Sequence, residues 1–179
     1  MELRLLYNHD NKMNIFYLDK CPRKAAKVQY NKHVVKMILE SAQMLCTAHH
    51  VLDNRVRLLD DIPYKIAHVN HPSTKWVREN SLHYDWLYEH FVALQGEYYK
   101  RYNKTHLSYT KCYVPLMNHP QNIPHEPFKQ PPQCMPDEYK DECSIQAYWN
   151  YYIGDKKHIA NLKTESLYET RPKATYQAI

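Results

Sequence analysis

The chain has 179 residues, a formal net charge of +5 and only two glycines. This length favours one domain with a real hydrophobic core. The shortage of glycine excludes the familiar nucleotide-binding loops GxGxxG and GxxxxGKS/T, and the motif GxSxG is absent as well.

The cysteine content and the hydropathy of the chain indicate its cellular compartment. The five cysteines form no CxxC pair, and their odd number and wide spacing indicate reduced thiols in a cytosolic protein. No stretch approaches the ~20 apolar residues of a membrane span, and the N-terminus lacks a run of signal-peptide type. We therefore expect a cytoplasmic protein without a membrane partner.

The first part of the chain is predicted to lead into the core. Residues 1–12 read as an appendage, and the apolar run 13–19 follows as a strand or extended segment. Pro22 suits the first turn of a short helix, because the missing N–H of proline is not needed there.

Residues 31–46 carry the strongest helix signal. Apolar residues recur there at steps of three and four, and Asn31 can cap the first turn. The apolar positions are Val35, Ile38, Ala42 and Leu45. We expect this helix to extend to about residue 50 and to be the centre of the fold.

Two further helices are predicted after a charged loop at 53–63. Ser73 is the expected N-cap of a helix over 74–80, and Ser81 that of a longer helix over 82–102. Gly96 falls in the middle of the longer helix, where it indicates close packing.

Residues 115–136 carry seven prolines and cannot form regular structure. Apolar residues within this segment predict an ordered loop wrapped on the helices. A last helix is expected near 144–153, ending at Gly154 as its C′ residue, and residues 164–179 read as a tail. The sequence thus predicts a mainly α fold: a single compact helical domain over 13–163, with at most one short N-terminal strand.

The polar face of the 31–46 helix contains the first chemical candidates. Lys32, Lys36 and Glu40 stack at steps of four, and His33 lies beside them. Two stacked ammonium groups disfavour each other's charge, so one lysine could supply a neutral amine, with Glu40 as proton acceptor or donor. The alternative is a solvated charged face with one weak Lys–Glu pair.

A second group of candidates lies at 68–78. His68 and His71 are three residues apart but precede a proline, and no third ligand at a zinc spacing accompanies them, so we expect no metal and no cofactor. A histidine at the mouth of a cleft could instead contact phosphate. Arg78 could bind phosphate, and Trp76 could either stack on a base or lie in the core.

Basic and aromatic residues alternate at the ends of the last two long helices. One cluster contains Lys100, Arg101 and His106 beside tyrosines; the other contains Tyr152 followed by Lys156. Such a pattern suits phosphates and stacked bases, so DNA is the expected partner. Cations at a helix C-terminus can also simply complement the helix dipole.

Several motifs resemble those of a family of small tailed-phage proteins, particularly from phages of marine bacteria. The resemblance is carried mainly by NKHVVKMILESAQML at 31–45, by HVNHP at 68–72, by WVR at 76–78 and by YYIG at 151–154. Some members carry the description pyrimidine-dimer DNA glycosylase. The resemblance covers about residues 13–163 and implies a DNA-processing protein, located in the host cytoplasm if a phage encodes it.

The sequence departs from the family pattern at several points. Tyr30 and Asn31 stand where the pattern has His and Asp, and Trp149 stands in place of Arg. Residues 1–12 precede the usual start. If the family used its N-terminal amine as nucleophile, this extension would abolish that role here.

Together these features predict a DNA glycosylase/AP lyase that acts on damaged or modified pyrimidines. Lys32 or Lys36 would attack the sugar C1′ and form a Schiff base, and Glu40 would handle protons. His68, His71, Arg78, Lys100, Arg101 and His106 would meet the nucleic acid, and Trp76 or Tyr152 would stack beside a flipped base. The alternatives are a non-catalytic protein that binds nucleic acid or a host protein, and an enzyme acting on free nucleotides.

Overall fold

A computed structural model describes residues 13–53 and 61–160, and within these ranges the fold is helical, with no β-strand. The mainly α prediction is confirmed. Two short 3₁₀ turns, Asp137–Tyr139 and Asp155–Ile159, flank the last helix. The helices are α1 (Pro22–Lys27), α2 (Asn31–Leu52), α3 (Pro72–Glu79), α4 (Ser81–Tyr102), α5 (Leu107–Cys112) and α6 (Ser144–Gly154). The predicted appendage 1–12, the tail 164–179 and most of the 53–63 loop lie outside the described residues.

Helices α2 and α4 form the framework of the fold. They pack against each other, α1 packs on α4, and α3 contacts both. The face of α2 that looks into the core is apolar and includes Val34, Met37, Ile38 and Leu45, all fully buried. Burial of this stripe is the main force that holds α2 in place, since helix propensity alone contributes little.

The N-terminal segment enters the core, as predicted, but the chain turns at Phe16, which has a φ of 55°. Met13, Ile15, Tyr17 and Leu18 are buried almost completely. Because the segment has no strand partner, side chains satisfy part of its backbone: Asn14 Oδ1 accepts from the backbone N–H of Ile15 at 2.7 Å.

The proline-rich segment is an ordered loop that lies across α3 and α4. Asn80 Nδ2 donates to the carbonyl oxygens of Glu126 and Pro127, and Trp76 Nε1 donates to that of Lys129 at 2.9 Å. Buried Ile123 supplies an apolar anchor. The prolines prevent regular backbone hydrogen bonding in this loop, so side chains at the ends of the helices bind several of its carbonyl oxygens instead.

Several helix ends differ from the sequence-based expectations. The cap of α3 is His71, not Ser73, and the cap of α4 is Asn80, not Ser81. Gly154 has a negative φ and does not serve as a left-handed C′ residue, because the chain continues into a 3₁₀ turn. Gly96 is exposed and faces open space, so it does not mark close packing.

His90 is buried between α4 and α1, and burial lowers its pKa to about 4. Its Nδ1 donates to the carbonyl oxygen of Pro22 at 2.9 Å, which opposes the shift only partly. The unfolded chain takes up this proton near the ordinary pKa of 6.5, so acid favours unfolding. We expect His90 to remove about 3 kcal/mol of unfolding free energy between pH 7 and pH 4.

Denaturant titrations at a series of pH values test this expectation. The variant His90→Asn keeps a side-chain N–H but does not titrate, so its unfolding free energy should fall less steeply with acid than that of the wild type. Parallel curves for the two proteins would show that His90 does not carry the effect.

Candidate active site

Lys36 and Glu40 form an ion pair on the polar face of α2. Lys36 Nζ lies 3.3 Å from Glu40 Oε1, and the exposed fractions of the two side chains are 39% and 11%. The backbone N–H of Asn14 donates to Glu40 Oε2 at 3.1 Å. Burial raises the pKa of Glu40, and the Lys36 ammonium opposes this rise. A carboxyl group of this kind can exchange protons nearer to neutral pH than an exposed one.

A cavity of about 500 Å³ opens beside this pair. Its walls come from the N-terminal segment, α2, the start of α3, the proline-rich loop and the end of α6. The polar and aromatic lining includes Asn14, Phe16, His33, Lys36, Tyr151 and Lys156. The volume falls within the range of sites that bind small ligands. Lys32, by contrast, is exposed one turn earlier on α2 and does not line this cavity.

His33 lines the cavity in a fixed orientation. Its Nδ1 lies 2.6 Å from the hydroxyl oxygen of Tyr152, and its ring stacks on Phe16 with centroids 4.1 Å apart. Tyr152 is fully buried behind His33, and its hydroxyl also accepts from the backbone N–H of Tyr30. Burial raises the pKa of Tyr152 well above its ordinary value. In this structure Tyr152 orients His33, and its ring has no exposed face for a base.

One histidine of the HVNHP motif lines the same cavity, and the other lies near Glu40. His71 lines it, and His71 Nδ1 accepts from the backbone N–H of Ser73, so this nitrogen caps α3. His68 is exposed and adopts a φ of 47°. It lies close enough to Glu40 for its positive charge to lower the pKa of that carboxyl group.

Both candidate arginines bind the protein's own backbone. Arg78 donates to the carbonyl oxygens of Thr74 and Val69, the latter at 2.8 Å. Arg101 donates to the carbonyl oxygens of Gln29, at 2.7 Å, and of Lys27. Hydrogen bonds from charged donors are among the strong ones, so these guanidinium groups fix the α1–α2 connection and the loop before α3.

The remaining residues predicted to contact DNA do not line the 500 Å³ cavity beside Lys36. Trp76 stacks on His83, with centroids 4.3 Å apart, and lines a separate cavity of about 340 Å³. Lys100 pairs with Glu97 at 2.9 Å on a third cavity, of about 640 Å³, between α1 and α4. His106 caps α5 through its Nδ1. The structure therefore brings together Lys36, His33, Glu40, His68 and His71, with Tyr152 behind His33. The other candidates do not line this cavity: Lys32, Trp76, Arg78, Lys100, Arg101 and His106.

Several cavity residues had no clear signal in the sequence. Asn14 and Phe16 read there only as part of an apolar segment. Lys156 stood in a basic, aromatic run and was not placed near Lys36, which is 120 positions earlier in the chain. Among residues 13–53 and 61–160, no three His, Cys, Asp or Glu side chains are grouped as metal ligands would be. Likewise, none of the helices in these ranges is long and apolar enough to span a membrane.

Comparison with known proteins identifies the family. The family model described as pyrimidine dimer DNA glycosylase matches residues 13–110, more than half of the chain. No curated protein and no solved structure matches. The match includes α2 with Lys36 and Glu40, whereas Tyr151 and Lys156 lie beyond it. It confirms the resemblance noted in the sequence: the chain belongs to the pyrimidine dimer DNA glycosylase family.

Proposed function

We propose that this protein is a DNA glycosylase with AP-lyase activity on damaged pyrimidines, in which Lys36 is the nucleophile and Glu40 transfers protons. The observation that carries the proposal is the ion pair of Glu40 with Lys36, a lysine that lines a cavity of about 500 Å³. Family membership supports DNA as the substrate. Lys36 is preferred to Lys32 because only Lys36 lines the cavity.

The first chemical step removes the base. The Glu40 carboxylate takes a proton from the Lys36 ammonium group, and the neutral Nζ attacks C1′ of the damaged nucleotide. The bond between C1′ and the base breaks, and the base leaves with the electron pair and takes the proton now on Glu40. The partly buried carboxylate also stabilises the positive charge that develops on the sugar.

The second step cleaves the strand. The bond between C1′ and O4′ breaks while Glu40 transfers one proton from the substituted Nζ to O4′, and C1′ and Nζ are joined as an iminium ion. Glu40 then takes a proton from C2′, and the electron pair of that C–H bond expels the 3′ phosphate by β-elimination. Water finally hydrolyses the imine and releases Lys36. Because the iminium is an obligatory intermediate, borohydride can reduce it to a stable covalent adduct.

A second amine is compatible with the same cavity. The Asn14 backbone nitrogen lies 3.1 Å from Glu40 Oε2. In the 179-residue chain this nitrogen is an amide and not a nucleophile. A form of the protein that began at Met13 and lost this methionine would carry its α-amine at Asn14. A comparison of the full chain with a chain started at Met13, which keeps every described residue, distinguishes the two amines.

Borohydride trapping tests the proposal. The protein is incubated with three matched duplexes, which carry one thymine dimer, one abasic site or no lesion. We expect covalent adducts with the first two duplexes and none with the third. Absence of both adduct and strand cleavage with every pyrimidine lesion would contradict the proposal.

Salt-sensitive DNA binding that survives replacement of both Lys36 and Glu40 by alanine would then favour a non-catalytic binding protein. Competition by mononucleotides would instead indicate an enzyme of free nucleotides.

A further inference from the structure

The third cavity is a long groove between α1 and α4, with a volume of about 640 Å³. On α4 its lining residues recur at steps of three and four from Tyr88 to Lys100, so the groove follows one face of this helix for about 18 Å. Helix α1 forms the opposite edge, and residues after α5 complete the wall. The groove shares no lining residue with the cavity beside Lys36, so it is a separate site. Its length suits a segment of polypeptide better than a compact small molecule.

The floor of the groove is apolar and contains a glycine. Val92 and Ala93 line it on α4, and Met117, which is 48% exposed, adds apolar surface. Gly96 follows on the same face, and a Cβ atom added there would contact nothing within 4 Å. Glycine inside a helix is less stable than alanine, and neither a positive φ nor a close neighbour in the described part of the chain requires it here. The missing side chain instead leaves room for another molecule to approach the α4 backbone.

The α1 edge of the groove carries three cations, Arg23, Lys24 and Lys27. All three are exposed, and no hydrogen bond or ion pair to another described residue involves their side chains. The helix dipole accounts for Lys24 and Lys27 in the last turn of α1, but not for Arg23, which lies in the first turn. Three cations without partners in the described part of the chain therefore follow one edge of an apolar groove.

The α4 edge of the groove is not basic. Glu97 pairs there with Lys100 and Arg101, and Glu89 adds a carboxylate. The groove thus presents an apolar floor with excess positive charge on the α1 side only. A complementary ligand has an apolar stripe and an acidic stripe beside it, which is the pattern of an acidic amphipathic helix.

We propose that an acidic amphipathic helix of a partner protein binds in the groove between α1 and α4. Its apolar side chains cover the floor at Gly96, and its carboxylates pair with the cations of α1. Binding of this kind buries an apolar face in a groove, and the charges beside it set the orientation. The inference goes beyond the proposed function, because it assigns a protein partner to a surface outside the proposed active site.

The three cations of α1 could instead bind DNA phosphates. Phosphate contacts need positive charge but no apolar floor, whereas an acidic amphipathic helix needs both. Loss of the charges should therefore weaken either partner. Filling the floor at Gly96 should weaken the helix alone, so this second change distinguishes the two partners.

Three labelled peptides of about 18 residues, long enough to fill the groove, test the inference on the full-length protein. The first has leucines at steps of three and four with glutamates beside them, the second has the same composition in scrambled order, and the third has lysine in place of glutamate. Fluorescence anisotropy should show that the first peptide binds at least about 10-fold more tightly than either control. Equal binding of all three, or binding of none, would overturn the inference.

Gly96→Gln tests the floor without changing the charge. Glutamine is a better helix former than glycine, so this variant should unfold at a higher temperature than the wild type. Its long side chain covers the floor and should weaken the acidic peptide at least about 10-fold, while the affinity for an undamaged duplex stays within about threefold. Gly96→Ala is the matched control: it should also gain stability, and it should keep its affinity for the peptide within about threefold.

Neutralising the α1 edge tests the charges. One variant replaces the three groove cations by glutamine, and its control replaces three exposed lysines outside the groove, Lys104, Lys111 and Lys157. Both variants lower the net charge by the same amount, so a difference between them is local. The α1 variant should lose at least about 10-fold in affinity for the acidic peptide, and the control less than about threefold.

An unchanged peptide affinity in either Gly96→Gln or the α1 variant would refute the inference. Loss of duplex affinity in the α1 variant without loss of peptide affinity would assign the cations to DNA phosphates instead. Sedimentation at increasing protein concentration tests a second copy of this chain as the occupant, and self-association that Gly96→Gln abolishes would contradict an acidic partner. None of these measurements depends on the chemistry of Lys36, so their failure is distinct from failure of the proposed function.

Discussion

Replacing Lys36 with methionine should reduce both base release and cleavage of an abasic strand by at least about 1,000-fold, because the amine that attacks C1′ is removed. Methionine keeps much of the apolar length of lysine. The Lys36–Glu40 pair is partly exposed, so its loss should lower stability only modestly. Single-turnover rates on the dimer-containing and abasic duplexes, together with unfolding curves, measure both effects.

Lys32→Met is the matched control for this variant. Lys32 lies one turn earlier on α2 and is exposed. Its replacement should leave both rates within about threefold of the wild type, which corresponds to less than about 1 kcal/mol. If Lys36→Met stays active while Lys32→Met does not, the roles of the two lysines are reversed. If both variants stay active, the nucleophile lies elsewhere in the cavity.

Replacing Glu40 with glutamine should reduce the rate of base release by about 100- to 10,000-fold, the usual contribution of a positioned acid or base. Glutamine preserves the shape of the side chain, and its carbonyl oxygen can still accept from the Asn14 N–H. It cannot take the proton from Lys36 or stabilise a cation to the same degree. The pH–rate profile of the wild type should have its acidic limb above pH 4.5, because burial raises the pKa of Glu40.

The same pKa shift predicts a stability difference of definite sign. The folded protein keeps the Glu40 proton to a higher pH than the unfolded chain does, so ionisation of Glu40 favours unfolding. The unfolding free energy of the wild type should therefore fall, relative to Glu40→Gln, as the pH rises above 4.5. Denaturant titrations of the two proteins measure this difference. A full rate in Glu40→Gln would exclude proton transfer by this residue, and a constant stability difference would exclude its shifted titration.

The helical framework could be predicted because its signal is local. The apolar repeat at Val35, Ile38, Ala42 and Leu45 predicts α2 without reference to the rest of the chain. The structure buries Ile38, Ala42 and Leu45, whereas Val35 is only half-buried. Helix ends were less predictable. At α3, both His71 and Ser73 have side chains suited to capping, and the choice depends on where the chain enters the turn after Pro72.

The site could be predicted only in part, because its other half comes from distant segments. The spacing of Lys36 and Glu40 predicts their contact, since residues four apart meet on a helix. No such rule predicts that Lys156 reaches the same cavity. Nor does the sequence show that Arg101 binds the carbonyl oxygen of Gln29, 72 residues away. From the sequence alone, Arg101 looks like a surface arginine that is free to bind phosphate.

Peptide mapping of the borohydride-reduced adduct tests the central claim most directly. The full-length protein is trapped on the abasic duplex, the DNA is digested, and the modified peptide is sequenced by mass spectrometry. The account predicts that the sugar remnant is attached to Nζ of Lys36. Attachment to Lys32, to Lys156 or to the N-terminal α-amine would contradict it and would assign the nucleophile to that group.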